Sequence, residues 1–479
     1  MQRGIYQIGM VGLGVMGRNL VLNMADHGFA VVGYDRAEHQ VTQLQKEAEQ
    51  RPIAAVNRLE EFVAALSAPR AVMLLVPAGK PVDAVIHDLL PYLAPGDLLI
   101  DGGNSYYKDT TLRAKALAAK HIDYLGVGIS GGEAGARHGP SIMPGGSHHA
   151  YQRVQPIFAA AAAQVNGEPC VAYLGPDAAG HYVKMVHNGI EYGLMQLLAE
   201  SYDLMKRGLG LRDQEIQQVY SRWNETELNS YLLEITADIF QQKDATTGGW
   251  LIDEILDAAR QKGTGKWTSQ DAMDLGAPVP TIDVAVAMRN LSAYKEERVA
   301  AQSLLKGPTP TLQGDRATLI ETLRNALYFG MITTYAQGMA QLQQASTAYD
   351  YDLNLAEVAR IWRGGCIIRA ALLEDIRTAY TAQPALPNLL LDPGFGQRLM
   401  EHQAALRTIV QTAAALGIAA PGFMTALAYF DGYRSAWLPA NLIQAQRDYF
   451  GAHTYERVDE KGIFHTQWQQ DLPGAEQTQ

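Results

Sequence analysis

The stretch IYQIGMVGLGVMGRNL, residues 5–20, constrains the fold more than any other part of the chain. Its apolar run predicts a buried strand over 5–11, then Gly12-Leu13-Gly14-Val15-Met16-Gly17, then a helix from Arg18 to His27 that Gly28 stops. A second strand, FAVVGYD, follows at 29–35. A glycine loop in register with strand, helix and strand is the context of a dinucleotide-binding βαβ unit. Gly12 permits the tight turn, Gly14 lets backbone approach a pyrophosphate at the helix N-terminus, and Gly17 lets helix and strand pack closely. The second strand ends in Tyr34-Asp35-Arg36. An acid there suits the free ribose hydroxyls of NAD, and an arginine suits the 2′-phosphate of NADP, so the pair leaves both cofactors open.

Further strands are expected at 71–77, 97–101 and 122–128, with helical stretches between them (58–67, 80–93, 109–121). Alternation of this kind implies a parallel sheet covered on both faces, an α/β Rossmann-type domain over residues 1–178. Ligands gather beyond the carboxyl ends of such strands. Asn104, in DGGNS, and Ser130 fall there and are candidates for cofactor or substrate contact, or simply turn and capping residues.

From residue 179 to 436 strand signals give way to helical periodicity, over 181–207, 213–240, 280–306, 315–347, 354–378 and 400–417. The reading is a large all-α domain. Residues 437–479 form a C-terminal tail with too little apolar content for its own core, expected to dock on a neighbouring subunit. With 479 residues, more than one core is required. The net charge of −11 argues against nucleic acid or an acidic membrane surface as partner. No apolar run approaches the roughly 20 residues of a membrane span. Two cysteines give neither a disulfide framework nor a zinc site, and the histidines form no metal-binding motif, so a reducing, cytoplasmic setting without a metal is expected.

The segment KMVHNGIEYG, 184–193, carries the chemistry. Lys184, His187, Asn188 and Glu191 share one stripe of a helix, where apolar residues would be the norm. An amine whose pKa is depressed by burial can act as a general base, and a carboxyl group two turns away can act as an acid toward the same small substrate. A solvated helix face is the alternative, but Val183, Val186 and Ile190 predict burial on the other sides. QKGTGKWT, 261–268, lacks the Walker spacing; Lys262, Thr264 and Lys266 on a glycine-rich loop suit a terminal sugar phosphate instead.

GLGVMG, DGGNS, GISGGEAGARHGPSIMPGG, GHYVKMVHNGIEYG, QKGTGKWT, WRGGCIIR and LPANLIQAQRDYFGAHTYER, in order from about residue 5 to 468, resemble the signature blocks of decarboxylating 6-phosphogluconate dehydrogenases. The resemblance implies oxidative decarboxylation of 6-phosphogluconate to ribulose 5-phosphate and CO2 with NADP, in the pentose phosphate pathway and gluconate utilization. It also implies a homodimer in which each tail completes the partner's site. It assigns Lys184 as general base and Glu191 as general acid, and gives His187, Asn188, Asn104, Ser130, Gly131 and Gly132 to substrate or cofactor. Tyr192, Lys262, Thr264 and Arg289 would hold the substrate phosphate, with Arg447 and His453 from the second subunit. Gly12, Gly14, Met16, Gly17, Val76 and Ala78 would contact the dinucleotide, with Asp35 and Arg36 at its 2′ position. Two departures stand out: Asp35 where the family commonly has Asn, which leaves NAD use open, and Pro77 where a Lys is common. Shorter 3-hydroxyacid dehydrogenases share the glycine loop and the lysine but lack the tail and QKGTGKWT. A catalytically silent dinucleotide-binding regulator would lack Lys184 or Glu191.

Overall fold

The computed structural model describes residues 4–308 and 315–468. Its N-terminal part is a seven-stranded sheet of β1 (Ile8–Val11), β2 (Val31–Tyr34), β3 (Ile53–Val56), β4 (Ala71–Leu74), β5 (Leu98–Asp101), β6 (Asp123–Ser130) and β7 (Ser141–Gly146), in the order β3-β2-β1-β4-β5-β6-β7. The first six strands run parallel. Apolar side chains from both faces of the sheet pack under helices, in two separate clusters.

β7 departs from the expected all-parallel sheet. It runs antiparallel to β6, with Ile129 opposite Ile142, so the short helix Gly132–His138 suffices to join them. The first helix begins at Val15 rather than Arg18, which places Gly17 inside its first turn. A Cβ on Gly17 would lie 1.9 Å from the carbonyl oxygen of Gly12, itself at φ +96°. Only glycine permits that approach.

After the sheet come helices Ala179–Asp203, Asp213–Trp223, Tyr231–Ile239, Thr264–Leu275, Pro280–Ser292, Lys295–Leu304, Arg316–Ala348, Leu355–Ile361, Leu372–Ala382, Pro393–Leu416 and Pro421–Tyr433. Three helices expected to be continuous are broken. Between Trp223 and Tyr231, the Asn224 carboxamide accepts from Ser230 N–H at 2.9 Å, and Ser230 caps the next helix through Leu233 N–H. Short polar side chains compete there with the helical ladder. A second break falls at Ala293–Tyr294. The third, after Ile361, contains Gly365 at φ +64°, whose carbonyl accepts from Ser141 N–H at 2.7 Å and thereby fastens the WRGGCIIR turn to β7.

The chain divides into two compact units, Met1–Leu427 and Ala428–Gln479, so the sheet and most of the helices belong to one unit. In the second, helix Ala440–Gly451 is followed by an antiparallel bridge between Tyr455 and Phe464. Among the described residues no helix is long and apolar enough to cross a membrane, and no cluster of His, Cys, Asp and Glu could hold a metal ion.

Candidate active site

The carboxyl ends of β1, β4 and β5 meet around the glycine loop. Gly12 lies against the Leu75 carbonyl and Val76, and Gly103 against the Val76 carbonyl. Gly14, at the start of the Val15–Asp26 helix, has open space where a Cβ would stand. Those two properties, a jammed Gly12–Gly17 turn and an open Gly14 at a helix N-terminus, fit a pyrophosphate. Met16 is half-buried against the core, and Ala78 is exposed. Asp35 braces the loop: one carboxylate oxygen accepts from Leu13 N–H and the other from Ala37 N–H, both at 2.9 Å. Arg36 is exposed.

Asp101 organises the loop after β5. One of its oxygens accepts from Gly103 N–H at 3.0 Å; the other accepts from Ser105 Oγ at 2.6 Å and Tyr124 OH at 3.1 Å. Asn104 is left exposed at the loop's crest.

The Ala179–Asp203 helix enters the sheet layer with almost no gap. A Cβ on Gly180 would lie 2.3 Å from the carbonyls of Gly126 and Met143, and one on Gly128 would lie 2.3 Å from Lys184 Cβ. This approach drives Lys184 against β6, where the residue is only 5% exposed. His187 is fully buried, edge-on to Trp362 at 5.6 Å between ring centres. Glu191, half-buried, lies 3.9 Å from His187 Nδ1 and interacts electrostatically with Lys184.

One ordered chain of hydrogen bonds fixes the protons here. Ile367 N–H donates to Ser130 Oγ at 3.3 Å, and Ser130 Oγ lies 3.2 Å from His187 Nε2. His187 Nδ1 lies 2.9 Å from Asn188 Oδ1, and Asn188 Nδ2 donates to Thr264 Oγ1 at 3.1 Å. Because Asn188 spends its amide on Thr264, it accepts from His187, which puts the imidazole proton on Nδ1 and leaves Nε2 to accept from Ser130. Burial, reinforced by Lys184, holds the His187 pKa well below the usual imidazole range, so the ring is neutral. Burial also lowers the Lys184 pKa against the opposing pull of Glu191. It raises that of Glu191 against Lys184 and Arg289. The two shifts run toward each other.

On the opposite wall, Thr264 opens the Thr264–Leu275 helix after Gly263 at φ +104°. Tyr192 lies over Gly265, and the Arg289 guanidinium stacks on the Tyr192 ring at 3.4 Å. Lys262 and Lys266 are exposed. Gly131 is wedged beneath the Gly365 carbonyl, and Gly132 begins the Gly132–His138 helix. The first unit therefore gathers Ser130, Lys184, His187, Asn188, Glu191 and Thr264, with Tyr192 and Arg289 alongside. Arg447 and His453 belong to the second unit, where both are exposed.

Four positions escaped the sequence reading. Gly128 makes room for Lys184; Ile367 N–H and Trp362 hold Ser130 and His187. The fourth is Asp271, fully buried, which accepts from the hydroxyls of Tyr107, Tyr182 and Tyr349 and ties the Thr264 helix to two others and to the end of the Arg316–Ala348 helix.

Sequence models of known families match this chain in two parts. Residues 7–175 match the NAD binding domain of 6-phosphogluconate dehydrogenase, and residues 180–468 match the 6-phosphogluconate dehydrogenase C-terminal domain. The chain belongs to the 6-phosphogluconate dehydrogenase family. Among its relatives in this family, the NADP(+)-dependent, decarboxylating 6-phosphogluconate dehydrogenase of Bacillus subtilis is 55% identical over 463 residues, 96% of this chain and 99% of the relative. The decarboxylating 6-phosphogluconate dehydrogenase of Escherichia coli K12 is 52% identical over the same shares. A solved structure of the Plasmodium falciparum 6-phosphogluconate dehydrogenase, described in its apo form and in complex with NADP+ and with 6-phosphogluconate, superposes with a TM-score of 0.94 at 45% identity. It covers 96% of this chain and 100% of its own.

Proposed function

We propose that this chain converts 6-phosphogluconate to ribulose 5-phosphate and CO2 with NADP as oxidant, acting in the cytoplasm on the pentose phosphate route. The observation that carries the reading is the buried amine and the half-buried carboxyl group on one helix face, each with its proton affinity displaced toward the other's. They stand inside a family whose named members perform this reaction.

Lys184, as the neutral amine, takes the proton of the C3 hydroxyl. NADP, held at the Gly12–Gly17 loop, would supply the acceptor for the hydride that leaves C3. The C3 carbonyl so formed serves as the electron sink when the C1–C2 bond breaks and CO2 departs, so no metal is demanded. Glu191, protonated, then delivers its proton to the carbon that becomes C1 of the product. His187, neutral and fixed in tautomer, holds its place in the hydrogen-bond chain, and Ser130 and Asn188 are oriented with it. Thr264, Lys262, Tyr192 and Arg289 take the substrate phosphate.

The chain acts as a homodimer whose tails bring Arg447 and His453 to each other's substrate phosphate. The exposed Trp437, Leu438, Leu442, Ile443 and Phe450 of the second unit support such docking.

The test is an initial-rate assay with 6-phosphogluconate and NADP in which CO2 and NADPH are followed together. Equal yields are expected; NADPH without CO2 would leave only a dehydrogenase. Cofactor choice is assigned to Arg36, because Asp35 already spends both oxygens on backbone N–H groups. Arg36→Ala is expected to weaken NADP binding by roughly ten- to a hundredfold, the worth of one charge-assisted hydrogen bond. NAD binding should stay within about twofold on the same scale, both read by calorimetric titration without substrate.

A further inference from the structure

Asp448 is the only residue of the Ala440–Gly451 helix that is buried, in a segment whose apolar side chains are largely exposed. Its two carboxylate oxygens take four donors. Oδ1 accepts from Thr454 N–H and faces His465 Nδ1, both at 2.9 Å; Oδ2 accepts from Thr466 N–H at 3.0 Å and Trp468 Nε1 at 2.9 Å. Four donors use the in-plane lone pairs of a carboxylate in full. A buried charge so completely satisfied is an organising centre, because the loss of its acceptors would strand several donors at once.

What it organises is the pair Arg447 and His453. Arg447 is its neighbour on the helix and donates to Gln444 Oε1 at 2.9 Å. His453 stands between two non-glycine residues in the left-handed region, Ala452 at φ +48° and Thr454 at φ +62°. Such residues persist where surrounding bonds over-determine them. Here Asp448 fixes the Thr454 N–H, and Gln444 Nε2 donates to the Thr454 carbonyl. The strained backbone turns His453 outward, and its ring packs edge-on to Phe450 at 5.9 Å between centres.

We infer that Asp448 is a positioning residue for substrate binding: it holds Arg447 and His453 in the arrangement that grips the phosphate of a sugar acid bound to a second copy of the chain. The inference rests on the proposed reading of the tail and adds to it the group that orders the tail in advance. Ordering side chains beforehand lowers the entropic cost of binding, so its loss appears in the substrate KM. Group transfer itself is left intact.

The experiment is a double-mutant cycle on the full-length protein, Asp448→Asn crossed with the Arg447→Ala/His453→Ala pair. Asp448→Asn alone is expected to raise the KM for 6-phosphogluconate by roughly three- to tenfold. The kcat, the KM for NADP and the dimeric mass should hold. In the Arg447→Ala/His453→Ala background the same change should add almost nothing, because Asp448 acts through those two residues. Additive losses, or an unchanged KM in the single variant, would overturn the inference. If the Arg447→Ala/His453→Ala pair itself leaves KM unchanged, the shared-site reading fails and takes this inference with it, a result distinct from failure of Asp448 alone. Should Asp448→Asn fail to fold or to dimerise, Trp468→Phe removes one donor and keeps a ring. It is expected to raise KM by about twofold with kcat held, and a wild-type KM there would equally overturn the inference.

Discussion

Lys184→Met is expected to lower kcat by about 10³–10⁴-fold, the upper range for loss of a general base, while NADP binding measured by titration stays close to that of the parent chain. Turnover within tenfold of the parent would remove Lys184 as the base. The same substitution should make the protein more stable. Burial lowers the pKa of Lys184 in the folded state, so folding carries a cost whenever the side chain is charged in the unfolded chain. That cost is present in full below the folded pKa and declines as pH rises between the folded value and the ordinary value of about 10.4. Methionine has no such cost. The gain in Tm should therefore be greatest at neutral and acid pH and fade at high pH; a variant less stable throughout would contradict the burial argument. Loss of function with gain of stability is the signature of a group kept for chemistry rather than for packing.

Glu191→Gln is expected to lower kcat by about 10²–10³-fold, within the range for a general acid, and to change the shape of the pH profile as well. On the proposed mechanism, activity in the parent chain needs a neutral Lys184 and a protonated Glu191. Rising pH favours the first and opposes the second, so the profile is a bell with limbs belonging to the coupled pair. Glutamine cannot lose a proton. The residual activity of Glu191→Gln should rise with pH and level off without the alkaline fall. An alkaline limb that survives the substitution would assign that limb to another group.

Much of this site was legible in the sequence because it is local. Gly12, Gly14 and Gly17 announce themselves by spacing, and Lys184, His187 and Glu191 by sharing a helical stripe that should have been apolar. What escaped depends on partners far along the chain. Nothing near Gly128 says that a helix fifty residues on will press a lysine against it. The three hydroxyls on Asp271 arrive from Tyr107, Tyr182 and Tyr349, the outer two 242 residues apart. The turn at 224–230, NETELNS, was overlooked because it carries no Gly or Pro to punctuate two apolar helical stretches, and the competing bonds of Asn224 and Ser230 break the helix. β7 was missed as a strand because its sequence, SIMPGG, is short and rich in Gly and Pro, although its side chains and backbone are fully buried against β6. Asp35 was read as a ribose or phosphate neighbour from its place at a strand end; its two backbone partners give it a bracing task as well.

The helix that carries Lys184 and Glu191 is seated like a keystone. A methyl group added at Gly180, Gly189 or Gly193 would collide with the sheet, with Thr268 or with Thr334. A rod wedged on so many sides cannot slide or roll to greet an arriving molecule. On the proposed mechanism the proton-handling groups, Lys184 and Glu191, then stay still, and adjustment to the sugar acid falls to parts held less tightly, such as the exposed crest at Asn104.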